Sequence, residues 1–173
     1  MRMPWLAVAA AAIGLIAAAD APIARPDGFR TWTHVLTDIA GPSSPAAPKY
    51  EGFHSIYANA KARDGYASGK WTDGAVIVFD VLTAEHGPGD ATTPGKRKFI
   101  DVMVRDRRRY AATGGWGYTE FTWPDKARVA QIEANPQGCD GCHQKNAPGG
   151  DRVFSELKEL ECSLLGGAVS EAD

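Results

Sequence analysis

The sequence has little of what many function classes require. Lysine and arginine number 19 against 21 acidic residues, a formal net charge of -2, so no strong positive field exists to recruit DNA or RNA. The only basic cluster, Arg105, Arg107, Arg108 and Arg109, is interrupted by Asp106 and reads as a solvated turn or strand end. No internal repeat is visible, which excludes solenoid and propeller arrays. No βαβ alternation is visible either, which argues against a thioredoxin-like redox fold. The longest apolar run lies near the N-terminus and is about 15 residues, short of the roughly 20 that span a bilayer.

That run reads as an export signal over residues 1–19. Arg2 gives a minimal positive start, Trp5 to Ala18 is almost wholly apolar, and Ala17-Ala18-Ala19 offers the small residues a signal peptidase reads. Asp20 and Pro22 follow at once, and no cysteine lies nearby to carry a lipid. Cleavage near Ala19 and a periplasmic location are expected, leaving residues 20–173 as a single domain. Across the whole sequence, 44% hydrophobic and 23% charged residues suit a folded chain and not a disordered one.

Strand patterns dominate that domain. Thr31–Leu36 and Phe53–Tyr57 are short strand candidates, separated by a proline-rich loop over 41–48. Ala58–Gly69 reads as a helix that stops at glycine. Ala75–Leu82 is β-branched and apolar but for Asp80, the mark of a buried strand. After a loop over 87–95, Lys98–Val104 and Tyr118–Trp123 supply two more strands, and Lys126–Ala134 reads as a helix. The expected fold is α+β, mainly an antiparallel sheet with short flanking helices. Strand alternation places Ala75, Ile77 and Phe79 on one side of their strand, and Phe99, Asp101 and Met103 on one side of theirs. An aspartate between Ile100 and Val102 is unexpected in a buried strand unless it is paired or functional.

One motif carries specific chemistry. Cys139-Asp140-Gly141-Cys142-His143 places two thiols three residues apart on one helical turn, with an imidazole directly after them. Two thiols can add across the vinyl groups of a haem while the imidazole reaches its iron. A Cys139–Cys142 disulfide would give no reason for His143. A zinc site would need four ligands, with Cys162 as a third, and adjacent Cys142 and His143 fit poorly around one tetrahedral ion. The motif therefore points to one covalent haem c near the C-terminal helical segment, with His143 as axial ligand. Cys162 is left over and reads as an idle thiol.

The opposite side of the iron has no obvious ligand. Met1 and Met3 leave with the signal, Met103 reads as core filler, His34 as a half-buried strand residue and His86 as an exposed loop residue. His54 is the only other histidine that alternation turns inward. An open coordination site binds small molecules.

In order along the chain, Arg30–Val35, His54–Asn59, Asp73–Val78, Val102–Asp106, Thr113–Tyr118, the Cys139–His143 run and Asp151–Ser155 resemble the cytochrome P460 family, which includes the cytochromes c′-beta. The resemblance implies a homodimer of mainly antiparallel sheet with a five-coordinate haem c. In the hydroxylamine-oxidising members a lysine shortly after the Asp-Gly turn bonds to the porphyrin edge; that position falls on Phe79 here. Lys70 precedes the turn and does not match. The family's proton-transferring carboxylate falls on Asp101, and an arginine position falls on His54. The expectation is a c′-beta-like protein with Phe79 capping the distal side over a nitric oxide or similar diatomic ligand, served by an electron-transfer partner. The alternative is an oxidoreductase in which Asp101 and His54 assist hydroxylamine or peroxide chemistry as acid and base. The weakest is a plain electron carrier with His54 or Met103 as sixth ligand.

Overall fold

Alternating β-branched and aromatic side chains pair successive segments into one antiparallel meander. The computed structural model describes residues 21–129, 138–147 and 151–157; the expected signal, its cleavage point and Cys162 lie outside them. The strands are β1 (Thr33–Ala40), β2 (Gly52–Ala58), β3 (Val76–His86), β4 (Thr92–Arg105), β5 (Trp116–Thr122) and the two-residue β6 (Arg128–Val129). They lie side by side in chain order, each antiparallel to the next. Among the described residues two helices flank the sheet, α1 (Ala60–Ser68) and α2 (Cys139–Asn146). This is the α+β architecture expected from the sequence.

Register turns the strands into rows of side chains that share a face. One row runs Leu36, Ile56, Phe79, Asp101, Glu120 from β1 to β5. Its neighbours are Asp38, His54, Val81, Phe99, Thr122 on one side and Ala58, Ile77, Met103, Tyr118 on the other. On this face Ile77, Met103, Trp116 and Tyr118 pack with Val153 from the C-terminal segment. The reverse face buries Val78, Ile100, Val102 and Phe121 under Ile23 and Phe29.

Local signals explain the element ends. Asn59 caps α1, its Oδ1 accepting from the Ala62 amide at 2.9 Å, and Gly69 closes it at φ 68°, a conformation glycine adopts without penalty. β1 starts two residues later than expected, because Phe29–Thr31 form a 3-10 turn, and runs on to Ala40. The 87–95 loop contracts to a tip: β3 continues to His86 and β4 begins at Thr92, with paired residues His86 and Thr92.

Lys126–Ala134 is not a helix where it is described. Thr122 donates its amide to the Ala127 carbonyl at 2.9 Å and its hydroxyl to Asp125 at 2.8 Å, and Lys126 takes a positive φ of 57°. These contacts turn the chain back so that Val129 and Arg128 pair with Glu120 and Phe121. Tertiary pairing overrides helix propensity here. Residues 130–134 of that expected helix lie outside the described residues.

Candidate functional site

The helix that carries the two thiols packs over β5 and closes a cavity of about 410 Å³ against the first sheet face. Cys139, Cys142 and His143 line it from the helix side; Phe79, Asp101, His54 and Tyr50 line it from the sheet side. All six residues singled out from sequence therefore border one cavity. Both cysteines are free thiols, so the disulfide alternative is not the state of this structure. Among the described residues no group of three or more acidic, cysteine or histidine side chains is placed to hold a metal ion; Cys162, needed for the zinc alternative, lies outside them.

His143 is oriented by its neighbours. Its Nδ1 sits 2.7 Å from the Arg152 carbonyl oxygen. A carbonyl can only accept, so Nδ1 carries the hydrogen and Nε2 keeps a free lone pair, the arrangement that fixes a metal-binding imidazole. Tyr118 and Phe154 hold the ring at centroid distances of 5.1 and 4.6 Å. Burial holds the imidazole pKa below its ordinary value, opposed by the Arg152 carbonyl and by Asp140. The segment that supplies this carbonyl is itself pinned. Arg152 donates to the buried Asp140 at 2.8 Å, and the indoles of Trp71 and Trp116 donate to Asp151, each at 2.9 Å.

The sheet wall is aromatic with one acidic edge. The Phe79 ring lies 4.8 Å from His54 and 5.9 Å from Tyr50, so its position is fixed by packing. Both His54 nitrogens are engaged: Nδ1 meets the Asp38 carboxylate at 2.9 Å, and Nε2 bonds the Tyr50 carbonyl. Tyr50 donates its hydroxyl to Asp101 at 2.9 Å. Glu120 lies directly across from Asp101 on β5 and pairs with Lys49 at 2.5 Å. Burial, reinforced by Glu120, pushes the Asp101 pKa up to about 7, against the pull of Tyr50 and Lys49. Burial, with Asp101 close by, also pushes the Cys139 thiol up to about 11.

These residues fit a covalently held haem. Two free thiols on one helical turn and an imidazole with its Nε2 lone pair available are the donor set the attachment needs. The Tyr118 hydroxyl lies buried in the cavity wall with no hydrogen-bond partner among the described residues. Such a group costs about 1–3 kcal/mol unless something in the cavity meets it.

A family model described as Cytochrome P460 matches residues 26–155. The chain belongs to the cytochrome P460 family. Membership implies a haem c cytochrome. A search of the curated proteins returns no match. Within this cytochrome P460-family chain, Tyr50, Lys49 and Glu120 are site residues that the sequence did not single out. Glu120 was within reach of a pattern argument, since it shares a strand face with Tyr118. Lys49 and Tyr50 sit in the proline-rich stretch before β2, where no periodicity predicts which way a side chain turns.

Proposed function

We propose that this cytochrome P460-family protein is a c′-beta-like haem c protein with an open distal position that binds nitric oxide or a similar small ligand. Cys139 and Cys142 would hold the haem and His143 Nε2 its iron; when bound, the group supplies a metal centre able to take a diatomic or nitrogen-oxide ligand. The observation that carries the reading is the state of His54. With one nitrogen on Asp38 and the other on the Tyr50 carbonyl, both of its ring nitrogens already have partners within the protein. Met103 borders the cavity but is held between Ile77 and Tyr118 in the packed core, and His34 and His86 are exposed outside the cavity lining. Phe79, wedged against His54 and Tyr50, presents an apolar surface that excludes water and favours small uncharged ligands. Export after cleavage near Ala19, a homodimer and a redox partner belong to the same proposal.

A second reading is favoured by Asp101. A carboxyl poised at about 7 is matched to general acid and base work near neutral pH. It fits an oxidoreductase acting on hydroxylamine or peroxide. The Phe79 side chain cannot form the lysine cross-link of the hydroxylamine-oxidising relatives.

The electronic and resonance Raman spectra of the ferric holoprotein test the first reading. A high-spin, five-coordinate iron is expected, and a low-spin six-coordinate iron would sink it. Hydroxylamine turnover, compared between the parent and Asp101→Ala, tests the second; no turnover in the parent leaves ligand binding as the function.

A further inference from the structure

The acidic edge of the cavity holds two carboxyl groups where one cation is available. Asp101 and Glu120 are register partners on β4 and β5, which sets their carboxyl groups side by side on one face. Two ionised carboxylates so placed repel, and a proton on one of them relieves the repulsion. Lys49 pairs with Glu120 and can balance a single negative charge. The trio is electrically neutral when the carboxyl pair carries one proton. It is negative when the pair carries none.

The other groups facing Asp101 do not alter this count. Tyr50, from the loop before β2, donates a neutral hydroxyl. β3 presents Phe79 at the paired position. α2 presents Cys139, which is uncharged both as the thiol that burial keeps protonated and as the thioether it would become on holding a haem. The next titratable groups on this face, His54 and Asp38, pair with each other.

The two ends of the pair differ in access. Asp101 and Tyr50 line the cavity and Glu120 does not, whereas Glu120 is held by Lys49, which has 53% of its side chain exposed. The group at the cavity is thus paired across the strands with a group whose ion-pair partner reaches water.

We propose that Asp101 and Glu120 share one proton and that Glu120, held by Lys49, is the solvent-side gate through which that proton is replaced. The Asp101 carboxyl gives its proton to a basic atom of a ligand in the cavity and is left as carboxylate. Glu120 takes a proton from water at the Lys49 side and passes it across to Asp101, which restores the pair. One proton moves from solvent to ligand, and no electron is required. Glu120 is a positioning and relay residue here, since it acts on the ligand through Asp101. The delivery step rests on the cavity being the ligand site proposed above; the shared proton is a property of the polypeptide.

Infrared titration of the carboxyl stretch in the ferric holoprotein, compared with Glu120→Gln, tests the proposal. The parent should show one protonated carboxyl that is lost as pH rises through about 7. In Glu120→Gln the like charge is gone, so that loss should move to lower pH by at least one unit, about tenfold in proton affinity. A transition that stays where it is overturns the sharing. The haem midpoint potential should fall with rising pH through the same range in the parent and lose that dependence in Glu120→Gln; an unchanged dependence overturns the gate. Lys49→Met keeps the test alive should Glu120→Gln fail to fold. It should move the transition to higher pH, and a fixed transition again counts against the proposal. A six-coordinate iron would end the open-site reading and leave the carboxyl titration as predicted, so the two failures are separable.

Discussion

The sheet draws an aspartate away from water on each face, Asp80 fully and Asp101 in part, and the two are treated in opposite ways. Asp80 on β3 is fully buried on the reverse face, where Arg97 meets it at 2.5 and 2.8 Å and Arg30 at 3.0 and 2.8 Å. Arg97 is itself packed over the Phe29 and Trp123 rings. Asp101 on β4 meets another acid, one tyrosine hydroxyl and, at one remove, one lysine. An ionised carboxylate between two guanidinium groups has its charge fixed and its lone pairs filled. A carboxyl opposed to a carboxyl must hold or release a proton. Both residues interrupt apolar strands, so the interruption alone does not distinguish a structural acid from a chemical one; the sign of the partners does.

Removing the structural acid should have the largest effect. Asp80→Ala leaves Arg97, only 16% exposed at its side chain, without its counter-ion. A loss of about 3–5 kcal/mol is expected on breaking such a buried pair, measured by urea unfolding of the holoprotein. A loss below about 1 kcal/mol, typical of an exposed pair, would mean that the reverse face relaxes enough to hydrate Arg97, and the contrast would fail.

The second effect has the opposite sign and develops only across a range of pH. The Asp101 pKa stands at about 7 in the folded chain against an ordinary 3.8, so the folded state binds this proton more tightly than the unfolded state. Below 3.8 both states hold the proton and Asp101 contributes no pH dependence. As pH rises from there, the unfolded chain releases its proton first and stability falls, by at most about 1.4 kcal/mol for each pH unit. Above about 7 both states are ionised and the loss is complete. Asp101→Asn cannot ionise, so its stability relative to the parent should rise across this window and level off above it. Unfolding midpoints at a series of pH values check this; a flat difference would place Asp101 among the fixed charges, alongside Asp80.

Much of this arrangement was legible before any coordinates. The Cys139–His143 run is contiguous, as covalent attachment of a haem would require, and strand alternation placed Phe79 and Asp101 on their shared faces. What sequence could not supply was register across long separations. Asp80 is 50 residues from Arg30 and 17 from Arg97, and nothing in the Ala75–Leu82 run announces that its one charge is neutralised. Glu120 faces Asp101 only because β4 and β5 pair in one register around the 106–115 turn. The expected helix after Lys126 failed for the same reason: its first residues were claimed by the edge of β5.

Lys49 gives the smallest and most discriminating change. More than half of its side chain is exposed, so Lys49→Met should cost less than about 1 kcal/mol of stability. Its charge nevertheless bears on the acid pair, because it is the cation that draws the Asp101 pKa down from where burial and Glu120 would put it. Burial works against the Lys49 ammonium too, but Glu120 and Asp101 outweigh it and hold its pKa above the ordinary value. The variant should therefore leave unfolding almost unchanged while raising the pH at which the pair loses its proton. On the reverse face the two quantities cannot be separated this way, since the arginines that fix the charge of Asp80 are also part of the packing. If Lys49→Met shifts stability strongly and leaves the titration still, the acidic edge is held together as Asp80 is, by its ion pairs, and the two aspartates differ in exposure alone.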